Sequence, residues 1–432
     1  MTNITHRPAG SFASSVEAMR TEAQYGANNY SPLPVVAVRA EGPWVEDVEG
    51  RRYIDLMSAY SAVSFGHAHP RIVGALVAQA QTLAVTSRAY FNDRLPQFLA
   101  RLCALTGYAR ALPVNTGLEA VETALKAARK WGYVVKGIAA DRAEIIVCEG
   151  NFHGRSITIS GFSSEPQYRD GFGPFTPGFV TIPYNDAAAL ERAITRNTAA
   201  FLVEPVQGEA GIVVPDDGYL ARCAEICRRR NVLLIADEVQ TGLGRTGHWL
   251  GSAHDGVTPD GVILGKALGG GLLPVSAFAA RDDVMGVFQP GDHGSTFGGN
   301  PLGAAVALAA LDVLADENLC ERARDLGTWL LAELRALDSP LIADVRGRGL
   351  LLGIEIDPAI ASARTVVERL LAHGVISKDT HGTVVRIAPP LNIPRDVLQQ
   401  ALRAIRDVFA ELGTASVPAA RAQRVVAPID SR

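Results

Sequence analysis

Short apolar runs recur through the middle of the chain, at residues 144–148, 201–204, 232–236, 261–264 and 275–279, each ending near a polar or glycine-rich corner. Runs without polar alternation suit strands buried on both faces, as in a parallel sheet. Segments of helical period lie among them at 118–136, 219–230 and 302–315. Strand followed by helix, repeated, predicts a doubly wound α/β domain with a mostly parallel sheet.

From about Leu319 the texture changes to a Leu- and Arg-rich helix, a strand at 350–356, a helix at 364–373, a strand at 384–387 and a last helix over 394–412. This reads as a smaller α+β unit. The expected division is an N-terminal segment, 1–50, that joins the small domain and the substrate cleft; a large domain, 51–316; a small domain, 317–412; and an aperiodic tail, 413–432, read as disordered.

Charge and cysteine usage exclude several classes. Asp+Glu 45 against Lys+Arg 41 leaves a net charge of -4, with no basic block to meet nucleic acid. The longest uncharged stretches, such as 267–280, fall short of the ~18 to 20 apolar residues that a membrane span needs. Five cysteines at 103, 148, 223, 227 and 320 form no CxxC pair, and the first 30 residues lack an apolar signal core. The expectation is a cytoplasmic protein.

Two residues at successive strand ends carry the chemistry. Asp237 closes the run 232–236, and Lys266 follows the run 261–264 among glycines 265, 269, 270 and 271. Ligands of open α/β sheets bind at strand ends. A carboxylate for a pyridinium nitrogen and an amine for a Schiff base are what pyridoxal phosphate requires of a protein. The segment Gly261 to Lys266 is not a phosphate-binding lysine loop, because only three residues separate its glycines and Ala267 stands where a metal-binding hydroxyl belongs. There is no HExxH, no Cys/His ligand cluster, no GxGxxG opening a βαβ unit and no GxSxG. No metal site is expected, and nicotinamide and serine-hydrolase chemistry are disfavoured.

Asn115-Thr-Gly-Leu-Glu119 opens a helix, with Thr116 and Glu119 at capping-box spacing. Free N–H groups at Gly117 and Leu118 suit a phosphate, and an ordinary capped helix reads equally well. In Asn151-Phe-His-Gly-Arg155, Phe152 suits either ring stacking or core packing, and Arg155 suits a substrate carboxylate. Ser295-Thr-Phe-Gly-Gly-Asn300 is a hydroxyl-bearing turn before a helix.

These motifs, with Asn29-Tyr-Ser-Pro-Leu-Pro-Val35, Ser58-Ala-Tyr-Ser-Ala-Val63, Glu204-Pro-Val-Gln-Gly-Glu209, Asp237-Glu-Val-Gln-Thr-Gly242 and His293-Gly-Ser-Thr-Phe-Gly-Gly-Asn-Pro301, give the chain its likeness. From about Tyr25 to Leu412 it resembles the class III, fold type I pyridoxal-phosphate aminotransferases, and within them the ornithine δ-aminotransferase branch. The resemblance implies that Lys266 carries pyridoxal 5'-phosphate as a Schiff base, Asp237 pairs with the ring nitrogen, Phe152 stacks on the ring and Gln240 approaches its phenolic oxygen. Gly117 and Leu118 would bind the phosphate, joined by Ser295 and Thr296 from the second subunit of a homodimer with shared sites.

For substrates, L-ornithine and 2-oxoglutarate, the resemblance implies that Tyr30 and Arg155 hold the ornithine α-carboxylate, presenting the δ-amine. Arg386 would be masked by Glu209 while ornithine is bound, then released to take the α-carboxylate of glutamate or 2-oxoglutarate. Tyr60 would line the cleft. N-acetylornithine and 4-aminobutyrate aminotransferases share the cofactor motifs and form the alternative; a nucleotide-binding or dehydrogenase module is the remote one.

Overall fold

The computed structural model describes residues 12–415. Its centre is a seven-stranded sheet in the order Arg110–Val114, Ser276–Ala280, Gly261–Leu264, Leu233–Asp237, Thr198–Val203, Glu144–Cys148, Phe179–Ile182. Six strands run parallel, as expected for a fold type I α/β domain, whereas Ser276–Ala280 is antiparallel to both neighbours. That corrects the expectation of a parallel strand there. The link from Leu264 to Ser276 holds only a short 3-10 turn, Lys266–Gly269, and a parallel return needs a crossover of a dozen or more residues.

Successive residues of the inner strands face opposite layers. Ile145, Val147, Ala200, Leu202, Leu233 and Ile235 pack under the helix Gly117–Val134. Ile146, Cys148, Phe201, Val203 and Leu234 pack instead against the helices Ala187–Ala193 and Tyr219–Arg229. With both faces covered, apolar residues at every position are what burial favours, at roughly 25 cal/mol per Å² of apolar surface removed from water.

A four-stranded antiparallel sheet, Ile342–Arg348, Leu351–Ile356, Val384–Ile387 and Lys378–Thr380, forms the C-terminal part. The helices Leu319–Arg335, Ala363–Ala372 and Arg395–Ala415 accompany it. The last helix outruns its expected end at 412; beyond residue 415 the stretch expected to be a tail lies outside the described residues. A second small sheet joins Ala37–Glu41, Trp44–Asp47 and Arg52–Asp55 to Val375–Ile376, whose two residues run parallel to Arg52–Asp55. The early chain is thereby stitched to residues just before Arg386.

The wholly buried Arg245 ties these parts together. Its guanidinium donates to the carbonyls of Leu350 (2.9 Å) and Pro389 (2.6 Å) and to Ser64 Oγ (3.0 Å). Among the described residues, no helix is long and apolar enough to cross a membrane.

Candidate active site

The parallel strands all end on one edge of the sheet, and the side chains that follow them converge there. Gly117, Leu118, Phe152, His153, Gly154, Glu204, Val206, Asp237, Val239, Gln240, Thr241 and Lys266 enclose a cavity of about 180 Å³. That is below the ~300 to 1,000 Å³ that accommodates drug-sized ligands, so it suits one small ring rather than a dinucleotide. Six of the eight residues expected around a cofactor meet in it.

Asp237 is the last residue of its strand and 4% exposed. Its Oδ2 lies 2.7 Å from His153 Nδ1, and its Oδ1 accepts from Val239 N–H at 3.0 Å. Both oxygens are therefore held. Lys266 stands at the neighbouring strand end with φ 47, a left-handed conformation that non-glycine residues rarely adopt and that the tight turn imposes. Burial drives its amine down to about 8; Arg386 pushes the same way, while Glu209 and Asp237 oppose.

The helix Gly117–Val134 begins with the capping box that the sequence announces. Thr116 Oγ1 accepts from Glu119 N–H at 3.2 Å, and Glu119 Oε2 accepts from Thr116 N–H at 3.1 Å. The N–H groups of Gly117 and Leu118 have no protein partner among the described residues, as the first turn of a helix requires. A Cβ at Gly117 would meet Val239 Cγ1 at 3.1 Å, so glycine lets the turn lie against the cavity wall. Ser295 stands beside this turn, its Oγ accepting from Asn115 Nδ2 at 2.9 Å. Thr296 is exposed and does not line the cavity.

A second cluster adjoins Lys266. Arg386, 0% exposed, donates through Nη2 to Glu209 Oε1 (2.8 Å) and the Gly208 carbonyl (2.8 Å), and through Nη1 to Gln240 Oε1 (3.1 Å). Gln240 Nε2 in turn donates to Glu209 Oε1 at 2.8 Å. Burial works to raise Glu209, yet Arg386 and then Lys266 hold it below the ordinary carboxylate value. The Tyr60 ring lies 5.2 Å from the Arg386 guanidinium carbon, close enough for a cation–π contact. Tyr60 is presented by Ser58–Ser61, four consecutive residues with φ of 46, 45, 58 and 76. Left-handed turns of this kind cost roughly 1–2 kcal/mol per residue. Asp55 anchors the start, accepting from Met57 N–H and Ser58 N–H, each at 2.8 Å.

Tyr30 and Arg155, 125 residues apart in sequence, line one outer pocket with Tyr168, Ser160 and Lys378. The Arg155 guanidinium carbon sits 4.3 Å from the Tyr168 ring centroid and 5.7 Å from that of Phe152, so this pocket opens beside the inner cavity.

Two residues of the quoted motifs were given no role in the site by sequence reasoning. His153 pairs with Asp237. Glu204, at the end of the strand Thr198–Val203, accepts from Phe152 N–H at 3.0 Å and is pushed up to about 8 by burial. Its place right after an apolar run was the available signal. His67 and His69 serve Asp55 and Glu317 instead, and among the described residues no three potential ligands converge on a metal position.

An amine of lowered basicity, a fixed carboxylate and a helix start around a ring-sized cavity define the chemistry. The family model "Aminotransferase class-III" matches residues 25–409. The chain belongs to the class III aminotransferases. An ornithine aminotransferase of Brevibacillus brevis is 54% identical over 89% of this chain and 96% of the relative. The solved ornithine aminotransferase of Toxoplasma gondii, with pyridoxal phosphate at partial occupancy in its active site, is 45% identical with a TM-score of 0.92, covering 94% of this chain and 96% of that one. An acetylornithine aminotransferase of Elizabethkingia anophelis is 49% identical with a TM-score of 0.84, covering 92% and 99%.

Proposed function

We propose that the protein transfers the δ-amino group of L-ornithine to 2-oxoglutarate, giving glutamate 5-semialdehyde, which cyclises to pyrroline-5-carboxylate, and glutamate, in a ping-pong cycle that uses pyridoxal 5'-phosphate. The observation that carries the reading is the Glu209–Arg386 pair beside Lys266, with Tyr30 and Arg155 together in the adjoining pocket.

The residues of the inner cavity fit the cofactor. Asp237 offers a held carboxylate to a ring nitrogen, Phe152 and Val239 offer ring-facing surface, Gly117 and Leu118 offer free N–H groups to a phosphate, and Lys266 offers an amine. When bound, pyridoxal phosphate supplies an electron sink for the carbon that loses a proton. The protein supplies the rest.

Lys266, with its proton affinity lowered, accepts a proton at Nζ and returns it, the work of a general base poised near neutral pH. Arg155 and Tyr30 hold the substrate α-carboxylate at the outer pocket, which directs the far amine inward. Glu209 keeps Arg386 neutralised meanwhile. An unpaired buried guanidinium is costly, so exchange of Glu209 for a substrate carboxylate keeps the charge satisfied in both halves of the cycle.

The reading extends to a homodimer. Phe91, Tyr90 and Phe297 are exposed, and Phe297 lines a pocket with Val85, Leu273 and Asn115, next to the proposed phosphate turn. Thr296, exposed on the same loop, would serve a second subunit in this reading. Cytoplasmic residence belongs to the same reading and is supported by five cysteines that are all free.

The direct test offers L-ornithine, N-acetylornithine and 4-aminobutyrate in parallel to the cofactor-loaded protein. Ornithine should bleach the visible band and yield pyrroline-5-carboxylate far better than the others. A preference for N-acetylornithine would move the assignment to the second branch that resembles this chain.

A further inference from the structure

His153 occupies a position where an apolar ring would satisfy packing more cheaply. It is 3% exposed, packs 6.1 Å from Phe162 between ring centroids, and its Nε2 has no partner among the described residues. A buried unpartnered nitrogen costs roughly 1–3 kcal/mol. Among the described residues the imidazole has one hydrogen-bond partner, Asp237 Oδ2 at 2.7 Å.

We propose that His153 is a positioning residue: its Nδ1–H, with the Val239 N–H on the other oxygen, fixes the Asp237 carboxylate toward the cavity and helps it keep a cofactor ring nitrogen protonated. This rests on the pyridoxal-phosphate reading of the site. Each carboxylate oxygen has two lone-pair directions, so one donor per oxygen leaves room for a third donor arriving from the cavity. The orientation is set without any ligand, which removes the entropy of ordering Asp237 from the cost of binding. Burial disfavours a charged His153, but the hydrogen bond and charge of Asp237 raise its hold on a proton. An ionised Asp237 carboxylate only accepts, so the contact at 2.7 Å calls for the proton on Nδ1.

The test compares pyridoxal phosphate with its 1-deaza analogue, in which C–H replaces the ring nitrogen, as ligands of the full-length, cofactor-stripped protein. His153→Leu should weaken pyridoxal phosphate about ten- to a hundredfold, the range of a hydrogen bond to a charged group, and shift the pH profile of the visible band. It should leave the deaza analogue within about threefold. His153→Asn, whose amide N–H reaches the same side as Nδ1, should restore most of the affinity. Equal losses for both ligands, or no loss for either, would overturn the proposal.

Wild-type protein gives a measurement independent of variant folding. The downfield proton resonance of His153 Nδ1–H should move when pyridoxal phosphate binds and stay put with the deaza analogue; identical behaviour with both ligands refutes the role. If the wild type forms no visible band with pyridoxal phosphate, the cofactor reading itself fails, and that outcome is distinct from either result for His153.

Discussion

Glu209 and Arg386 approach to 2.8 Å, and Gln240 donates to the first while accepting from the second. The three form a closed circuit in which every charge is matched before any substrate arrives. Opening it must expose Arg386 to something equally negative.

Replacing Glu209 with Ala is expected to leave Arg386 permanently available to α-carboxylates. Steady-state rates with L-glutamate and L-ornithine, each as sole donor, should show the ratio of α- to δ-amine use rising about tenfold, the low end for one charge-assisted hydrogen bond. An unchanged ratio would show that the pair does not gate selectivity.

Lys266→Ala is expected to lose the visible band and to lower turnover by at least about 10² to 10⁴, the usual share of a positioned proton carrier. The measurement is single-turnover kinetics after cofactor removal and reconstitution. Retention of both properties refutes the assignment.

The lowered basicity of Lys266 also predicts a pH profile for capture of pyridoxal phosphate by cofactor-free protein. Only the neutral amine attacks. With the group near 8 rather than its ordinary 10.5, the rate should climb about tenfold per pH unit below 8 and flatten above it. A climb continuing to pH 10 is incompatible with that environment. Because Glu209 raises the Lys266 value, Glu209→Ala should move the plateau to lower pH.

Glu204 makes a prediction about stability. Its carboxyl is raised from 4.5 to about 8 by burial, so between those values the folded chain binds a proton that the unfolded chain releases. Stability from this group therefore falls as pH rises through that window and is level above it. Glu204→Gln keeps an acceptor for Phe152 N–H and does not titrate. Its melting temperature minus that of the wild type should grow from pH 4.5 to 8; parallel curves would contradict the assignment.

Arg155→Lys keeps the charge but gives up the planar fork that grips a carboxylate through two bonds. The expected signature is a rise of about tenfold in KM for ornithine with a smaller change in kcat, read from initial rates. An unaltered KM would remove Arg155 from substrate binding.

What was legible in the sequence follows from where side chains are buried. The inner strands announced themselves because both faces are covered, and Asp237 and Lys266 stood out as polar groups at their ends. The strands Arg110–Val114 and Phe179–Ile182 went unseen because they are the two edges: one contains Pro113, tolerated at an edge where no ladder donor is needed, and the other has only four residues. The pairing of His153 with Asp237 spans 84 residues, and no local pattern reports a contact of that range. The left-handed run at Ser58–Ser61 was equally hidden, since Ser, Ala and Tyr carry no signal for positive φ. Glycine signalled it elsewhere.

The stitching of Val375–Ile376 to Arg52–Asp55 sets an order of assembly. All seven strands of the central sheet, with Asp237 and Lys266, lie before residue 281, whereas Ser295, beside the turn at Asn115, and the strands of the C-terminal sheet are still to be made. The strand Arg52–Asp55, already paired on one side with Trp44–Asp47, meets its second neighbour only when residues 375–376 appear, and Arg386 follows ten residues later. Asp237 and Lys266 are thus synthesised well before Arg386, the partner that Glu209 and Gln240 wait for.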